Sequence, residues 1–138
     1  MDTLQADSAT IGTLTVTSSA EFKSDITIDG HIITAGGQPT SQAQAAAGGS
    51  AYVAVDGTDT TGTITITTGS SPTSGDLAKI IFSKTYGHSP HIVLSASNDK
   101  AAGLRFFKGN TSTTDFMFNA LDTPQANTTY TFDYFIAQ

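Results

Sequence analysis

From Thr128 to Ala137 every second residue is large and apolar. Tyr130, Phe132, Tyr134 and Ile136 alternate with Thr129, Thr131, Asp133 and Phe135. Successive side chains of an extended strand point to opposite faces, so a period of two puts those four residues on one side. A helix would scatter them around its circumference. The stretch is therefore a long strand with one face buried. A strand cannot bury its face alone, so the rest of the chain must supply sheet partners and a facing layer.

The partners are legible upstream. Strands are predicted at Ala51–Val55, Gly62–Thr68, Leu77–Ser83, His91–Ala96, Gly103–Lys108, Asp115–Ala120 and Thr128–Ala137. Turn formers separate them: Asp56-Gly57, Ser70-Ser71-Pro72, Tyr86-Gly87-His88-Ser89-Pro90, Ser97-Asn98-Asp99, Gly109-Asn110 and Asp122-Thr123-Pro124. Short strands at this spacing predict an all-β fold, with residues 51–138 as a β-sandwich (jelly-roll-like) head. Its expected core is Val53, Val55, Ile64, Ile66, Ile80, Phe82, Ile92, Leu94, Phe106, Phe116, Phe118, Tyr130, Phe132, Tyr134 and Ile136. Adjacent apolar pairs at Ile80-Ile81, Phe106-Phe107 and Phe135-Ile136 ask for burial on both strand faces. A lone sandwich covers only one face of each sheet.

Residues 1–34 carry the same rhythm in shorter pieces. Leu14-Thr15-Val16 and Ile26-Thr27-Ile28 lie twelve residues apart, bounded by Ser18-Ser19, Ser24-Asp25 and Asp29-Gly30. Such strands are too short to cover their own apolar side. The segment is thus expected to be an assembly element, covered by identical neighbours through Leu14, Val16, Phe22, Ile26, Ile28 and Ile33. Residues 35–50 (Ala35-Gly36-Gly37-Gln38-Pro39 through Ala45-Ala46-Ala47-Gly48-Gly49-Ser50) read as a Gly/Ala/Gln linker, with room for one helical turn near Gln42–Ala47. The opening Met1-Asp2-Thr3-Leu4 reads as a start placed inside a longer chain.

Charge and composition remove several classes of function. Only 13% of residues are charged, and the net charge is −6. The six basic residues run scattered from Lys23 to Lys108, which argues against a phosphate-backbone partner. With no cysteine there is no disulfide framework, thiolate metal site or thiol nucleophile. No apolar run is long enough to span a bilayer as a helix, so no membrane insertion is expected.

Catalytic signatures are missing as well. There is no G-x-S-x-G elbow, no Gly-rich loop opening a helix, and Glu21 is the only glutamate. The chain reads as a non-enzyme without a cofactor. His88 and His91 stand three apart with no acidic neighbour and read as turn and strand-start residues rather than metal ligands. Asp56-Gly57-Thr58-Asp59 has a trace of a Ca²⁺ loop but lacks its denser acidic pattern, so an Asx-turn is the expectation there. Tyr52, Tyr86 and Phe107 are candidate surface rings for stacking on a sugar. Asn110-Thr111-Ser112 and Asn127-Thr128-Thr129 fit the N-glycosylation pattern.

The rhythm of residues 11–34, running into His31-Ile32-Ile33-Thr34-Ala35-Gly36-Gly37, resembles the shaft end of bacterial and phage-like fibre proteins. There, short strands from three chains wrap into a β-prism ahead of a head. Gly62–Gly69 and Tyr130–Ile136 are similar to the terminal β-domain of large repetitive bacterial surface proteins. The hairpin Ile80–Leu94, with its Tyr86-Gly87 turn and Pro90, resembles those of carbohydrate-binding fibre heads and trimeric lectin-like domains. The resemblance implies a β-shaft or β-prism ahead of the head, a homotrimer, an extracellular, cell-surface or virion-fibre location, and an adhesive or structural role. Three functions follow as expectations: a trimeric fibre tip, a filament subunit that donates its N-terminal strand head-to-tail, and a soluble sugar-binding module.

Overall fold

A computed structural model describes residues 6–138; residues 1–5, where the expected assembly segment begins, lie outside the described residues. The chain divides into two units, one ending at Ile32 and one spanning Ile33–Gln138.

The second unit is an all-β fold of two four-stranded antiparallel sheets in a sandwich-like arrangement. Its strands are β1 (Thr40–Ala43), β2 (Tyr52–Gly57), β3 (Thr61–Thr67), β4 (Gly75–Ile81), β5 (His91–Ala96), β6 (Phe106–Thr111), β7 (Asp115–Ala120) and β8 (Thr129–Ala137). One sheet has the order β1-β4-β7-β6 and the other β2-β3-β8-β5. Each of the seven expected strands is present. The fifth of them, β6, begins at Phe106 instead of Gly103, because Asp99–Ala102 forms a single helical turn, α1, closed by Gly103. The Asn98 side chain caps that turn by accepting from Ala101 N at 2.8 Å, satisfying a donor the first turn leaves free.

Residues 35–50 are not merely a linker. Thr40–Ala43 pairs with β4 in the register Thr40↔Ile81 to Ala43↔Ala78, and Ala45–Ala47 forms a 3-10 turn whose Ala47 is fully buried. Strand β1 has no apolar alternation because its side chains lie at the sandwich margin. Its backbone pairing, not its side chains, makes it a strand. The four prolines, Pro39, Pro72, Pro90 and Pro124, are all buried. Lacking an N–H, each can be buried beside a strand without leaving an orphan donor.

Alternation becomes burial along each strand. Ile64 and Ile66 of β3, Phe116 and Phe118 of β7, and Tyr130, Phe132, Tyr134 and Ile136 of β8 point between the sheets. Phe132 sits in an aromatic knot, its ring 4.4 Å from that of Phe118 and 4.7 Å from that of Phe106. A second knot joins Phe82 to Tyr86 edge-on at 4.9 Å and to Phe116 at 5.9 Å. Such contacts add about 0.5–1.5 kcal/mol each beyond the area they bury. Of the expected core, Ile92, Leu94 and Phe106 are only half-buried and pack against its flank.

The outer faces are mixed. Thr61, Thr63, Thr65 and Thr67 of β3 and Thr129 and Thr131 of β8 share one outer face, with Thr67 hydrogen-bonded to Thr129 at 3.0 Å. Thr63 donates to Asp133 at 2.7 Å, the polar counterpart of the cross-strand apolar pairs inside. The apolar partners expected to need a second cover stay open within the single chain. Phe135 and Phe107 are exposed, and Ile81 is half-buried.

Residues 6–34 contain no strand in this single chain. Their large apolar side chains are exposed, from 48% at Val16 to 88% at Ile33. Leu14, Phe22, Ile26 and Ile28 fall between those values, and Ile11 and Ile32 behave alike.

Candidate functional site

Hydrogen bonds from the β4–β5 loop and strand β8 converge on the β2–β3 turn, Thr58–Thr60. Strand β8 lies beside β3, so Tyr134 comes level with Gly62 and its hydroxyl reaches the turn, donating to the carbonyl of Thr58. Only glycine tolerates this approach: a Cβ at Gly62 would stand 2.7 Å from the Tyr134 oxygen. From the β4–β5 loop, Tyr86 donates its hydroxyl to the carbonyl of Asp59 at 2.7 Å. The Asp59 carboxylate accepts from Ser83 N at 2.8 Å, Ser83 Oγ at 2.7 Å and Lys84 N at 2.8 Å.

That geometry decides the role of Asp59. Both of its oxygens are engaged in tying the β2–β3 turn to the loop after β4, so it is a structural clamp between the two sheets. Asp56 lies within β2. Neither residue makes the Asx-turn expected of this sequence. Thr58 instead shapes the turn, its Oγ1 accepting from Thr60 N at 3.2 Å. Beside the clamp is a shallow cleft of about 210 Å³ between Gly36-Gly37, Thr58–Thr60 and Lys84–Tyr86.

Burial, and secondarily the Asp59 charge, raises the Tyr86 phenol above its usual value. The same two causes, joined by Tyr86 and Asp56, push Tyr134 up to about 12. The sign follows directly. A phenol whose folded value is raised favours its neutral form in the fold. The stability it contributes is complete below an ordinary tyrosine's pKa of about 10 and is lost as pH rises toward about 12. The unit is expected to lose stability across that alkaline window, and Tyr134→Phe should flatten the loss. Denaturant midpoints at stepped pH, with tyrosinate absorbance alongside, measure both.

A second cleft, of about 360 Å³, lies against α1 and is lined by Asp99, Lys100, Leu104, Thr123, Gln125 and Tyr130. Tyr130 is buried, and its hydroxyl accepts from Gln125 N at 2.8 Å, so the ring offers no free face for stacking. Nearby, Arg105 grips Asp122 through Nε and Nη2, and this pair holds the Asp122 carboxyl below its usual range.

The three rings expected at a sugar-binding surface are not brought together. Tyr52 is 64% exposed on the outer face of β2, and Phe107 is 43% exposed on the outer face of the other sheet. Tyr86 packs against the core from the β4–β5 loop. His88 lies exposed in that loop, and His91 is exposed at the start of β5. Among the described residues no three His, Asp or Glu side chains converge as metal ligands would. Sequence reading missed the Asp59 clamp. The available signal was a carboxylate in a tight turn, which in isolation points to its own loop rather than to one 24 residues away.

Fold and geometry define the Ile33–Gln138 unit as an all-β, two-sheet module. The chain matches no protein-family model, no curated protein sequence and no solved structure.

Proposed function

We propose that this chain is a non-enzymatic structural module of an extracellular fibre, three copies of which join through residues 11–34. One observation carries the reading. The Ile33–Gln138 unit completes a core of its own, whereas the apolar alternation of residues 11–34 is left open to water in a single chain. So many large apolar side chains exposed along one segment favour an association site. The period of two in Leu14-Thr15-Val16 and Ile26-Thr27-Ile28 suits strand pairing between copies, with Phe22 and Ile33 adding apolar area. Exposed Tyr52 and Phe107 then serve adhesion to carbohydrate, each on its own sheet.

Light scattering on the pure protein tests the reading. The expected mass is three times the 14.2 kDa of the chain, and a monodisperse monomer at micromolar concentration sinks it. A filament subunit that donates its N-terminal strand is the second reading. It is favoured by the unpaired outer edge of β5, since donation needs an acceptor edge. Electron microscopy separates the two: uniform small particles support a closed trimer, long filaments an open head-to-tail polymer.

A further inference from the structure

The two sheets have four edges: β1, β2, β5 and β6. They are protected very unequally. Thr58 N donates to Thr61 O, so in the antiparallel ladder the even residues of β2 bond to β3 and the odd ones face outward. The outward carbonyls of Val53 and Val55 are capped by Ser41 Oγ and Gln38 Nε2, from β1 and the residues just before it. That side of the sandwich is closed. Strand β1 is four residues long and lies against β2. Strand β6 is broken by a register shift between Lys108 and Thr111 and carries a lysine, two features that discourage a further strand.

Strand β5 has no such protection. Ser97 N donates to Thr131 O, so the odd residues of β5 face β8 and the backbone groups of Ile92, Leu94 and Ala96 face outward. Among the described residues none of those groups has a hydrogen-bond partner. The ladder from His91↔Ala137 to Ala96↔Phe132 is regular throughout. The inward side chains of the same three residues are only half-buried, as is Phe106 beside them, so the core is thinly covered along this flank. On the outer face Val93 and its partner Phe135 are exposed.

We propose that the β5 edge accepts a strand from the N-terminal segment of a second copy of this chain. The inference rests on the reading that residues 11–34 join copies. Thr13-Leu14-Thr15-Val16-Thr17 repeats the alternation of Thr63-Ile64-Thr65-Ile66-Thr67, which already forms an inner strand of the same sheet. Docked on β5, its Leu14 and Val16 cover Ile92, Leu94 and Phe106, while its threonines extend the threonine-rich outer face. Charge agrees with this assignment. Residues 11–34 carry Glu21, Asp25 and Asp29 against Lys23, whereas residues 97–108, just after β5, carry Lys100, Arg105 and Lys108 against Asp99. Arg105 is paired with Asp122, while Lys100 donates to Gln125 Oε1 and Lys108 to Thr111 Oγ1, each at 3.2 Å. Three donations in a ring give a closed trimer; unclosed donation grows a filament.

The chain contains no cysteine, so engineered disulfides report this contact without background. One full-length copy carries Thr15→Cys or Thr27→Cys, and a co-expressed, size-tagged copy carries Val93→Cys or Ser95→Cys. A disulfide requires the two Cα atoms to lie within about 7 Å, so only strands lying side by side will link. Expected is a hetero-disulfide with β5 that is absent when the acceptor cysteine is Ala54→Cys, on the closed β2 edge. Light scattering on the same samples separates the failures. Assembled protein with no β5 link above the Ala54→Cys control overturns the acceptor assignment alone, whereas a monomer overturns it together with the assembly reading.

Discussion

Removal of residues 129–138 is expected to abolish cooperative folding of the Ile33–Gln138 unit. Strand β8 is the inner strand on which its sheet depends, paired with β3 along Thr61↔Phe135 to Thr67↔Thr129 and with β5 along His91↔Ala137 to Ala96↔Phe132. Without it β5 has no partner, and β2–β3 becomes a two-stranded ribbon, marginal in water. The core loses Tyr130, Phe132, Tyr134 and Ile136 together. At about 1.5–3 kcal/mol for each large apolar side chain buried, that is about 6–12 kcal/mol, comparable with the whole stability of an ordinary domain at about 5–15 kcal/mol. The turn clamp is lost too, because Tyr134 no longer reaches Thr58. Calorimetry on the truncated chain should show no cooperative melt. Removing residues 1–10 should leave the transition where it was. A truncated chain that melts at the full-length temperature would make β8 an appendage and require a different core.

What was legible in the sequence, and what was not, divides along a physical line. Strands whose side chains alternate between core and water announce themselves, and Asp115–Ala120 was placed residue for residue because Phe116, Phe118 and Ala120 all face inward. Strand β1 was not legible, since Thr40-Ser41-Gln42-Ala43 bonds through its backbone to β4 and at the margin no side chain had to be apolar. The α1 turn was legible but read otherwise. Asn98 and Gly103 bracket Asp99–Ala102 as cap and stop, yet Ser97-Asn98-Asp99 in isolation reads as a turn. The Asp59 clamp was beyond reach, because an acceptor's partner in another loop leaves no local pattern. Phe106-Phe107 and Phe135-Ile136 ask for cover on both strand faces, but only Ile136 is buried and Phe106 half-buried. The single chain leaves that demand unmet at Phe107 and Phe135.

That difference between the two faces of one strand gives the sharpest single-residue contrast. Phe132 is fully buried, with its ring against Phe118 and Phe106, and those three rings bridge the sheets. Phe132→Ala removes the middle member, and the flanking backbone is held by ladders on both sides, so the surroundings can collapse only partly into the space. The expected cost is about 3–5 kcal/mol, the range for a buried Phe replaced by Ala, made of lost transfer energy and the cavity left behind. Phe135, three residues on and 54% exposed, points away from that core. Phe135→Ala should therefore change the stability of a dissociated chain by less than about 0.5 kcal/mol, as surface substitutions do. Denaturant unfolding of the two variants at low concentration measures the contrast. Equal costs would mean that the outer face of β8 is as closely packed as the inner one, and the one-sided reading of Tyr130, Phe132, Tyr134 and Ile136 would fail.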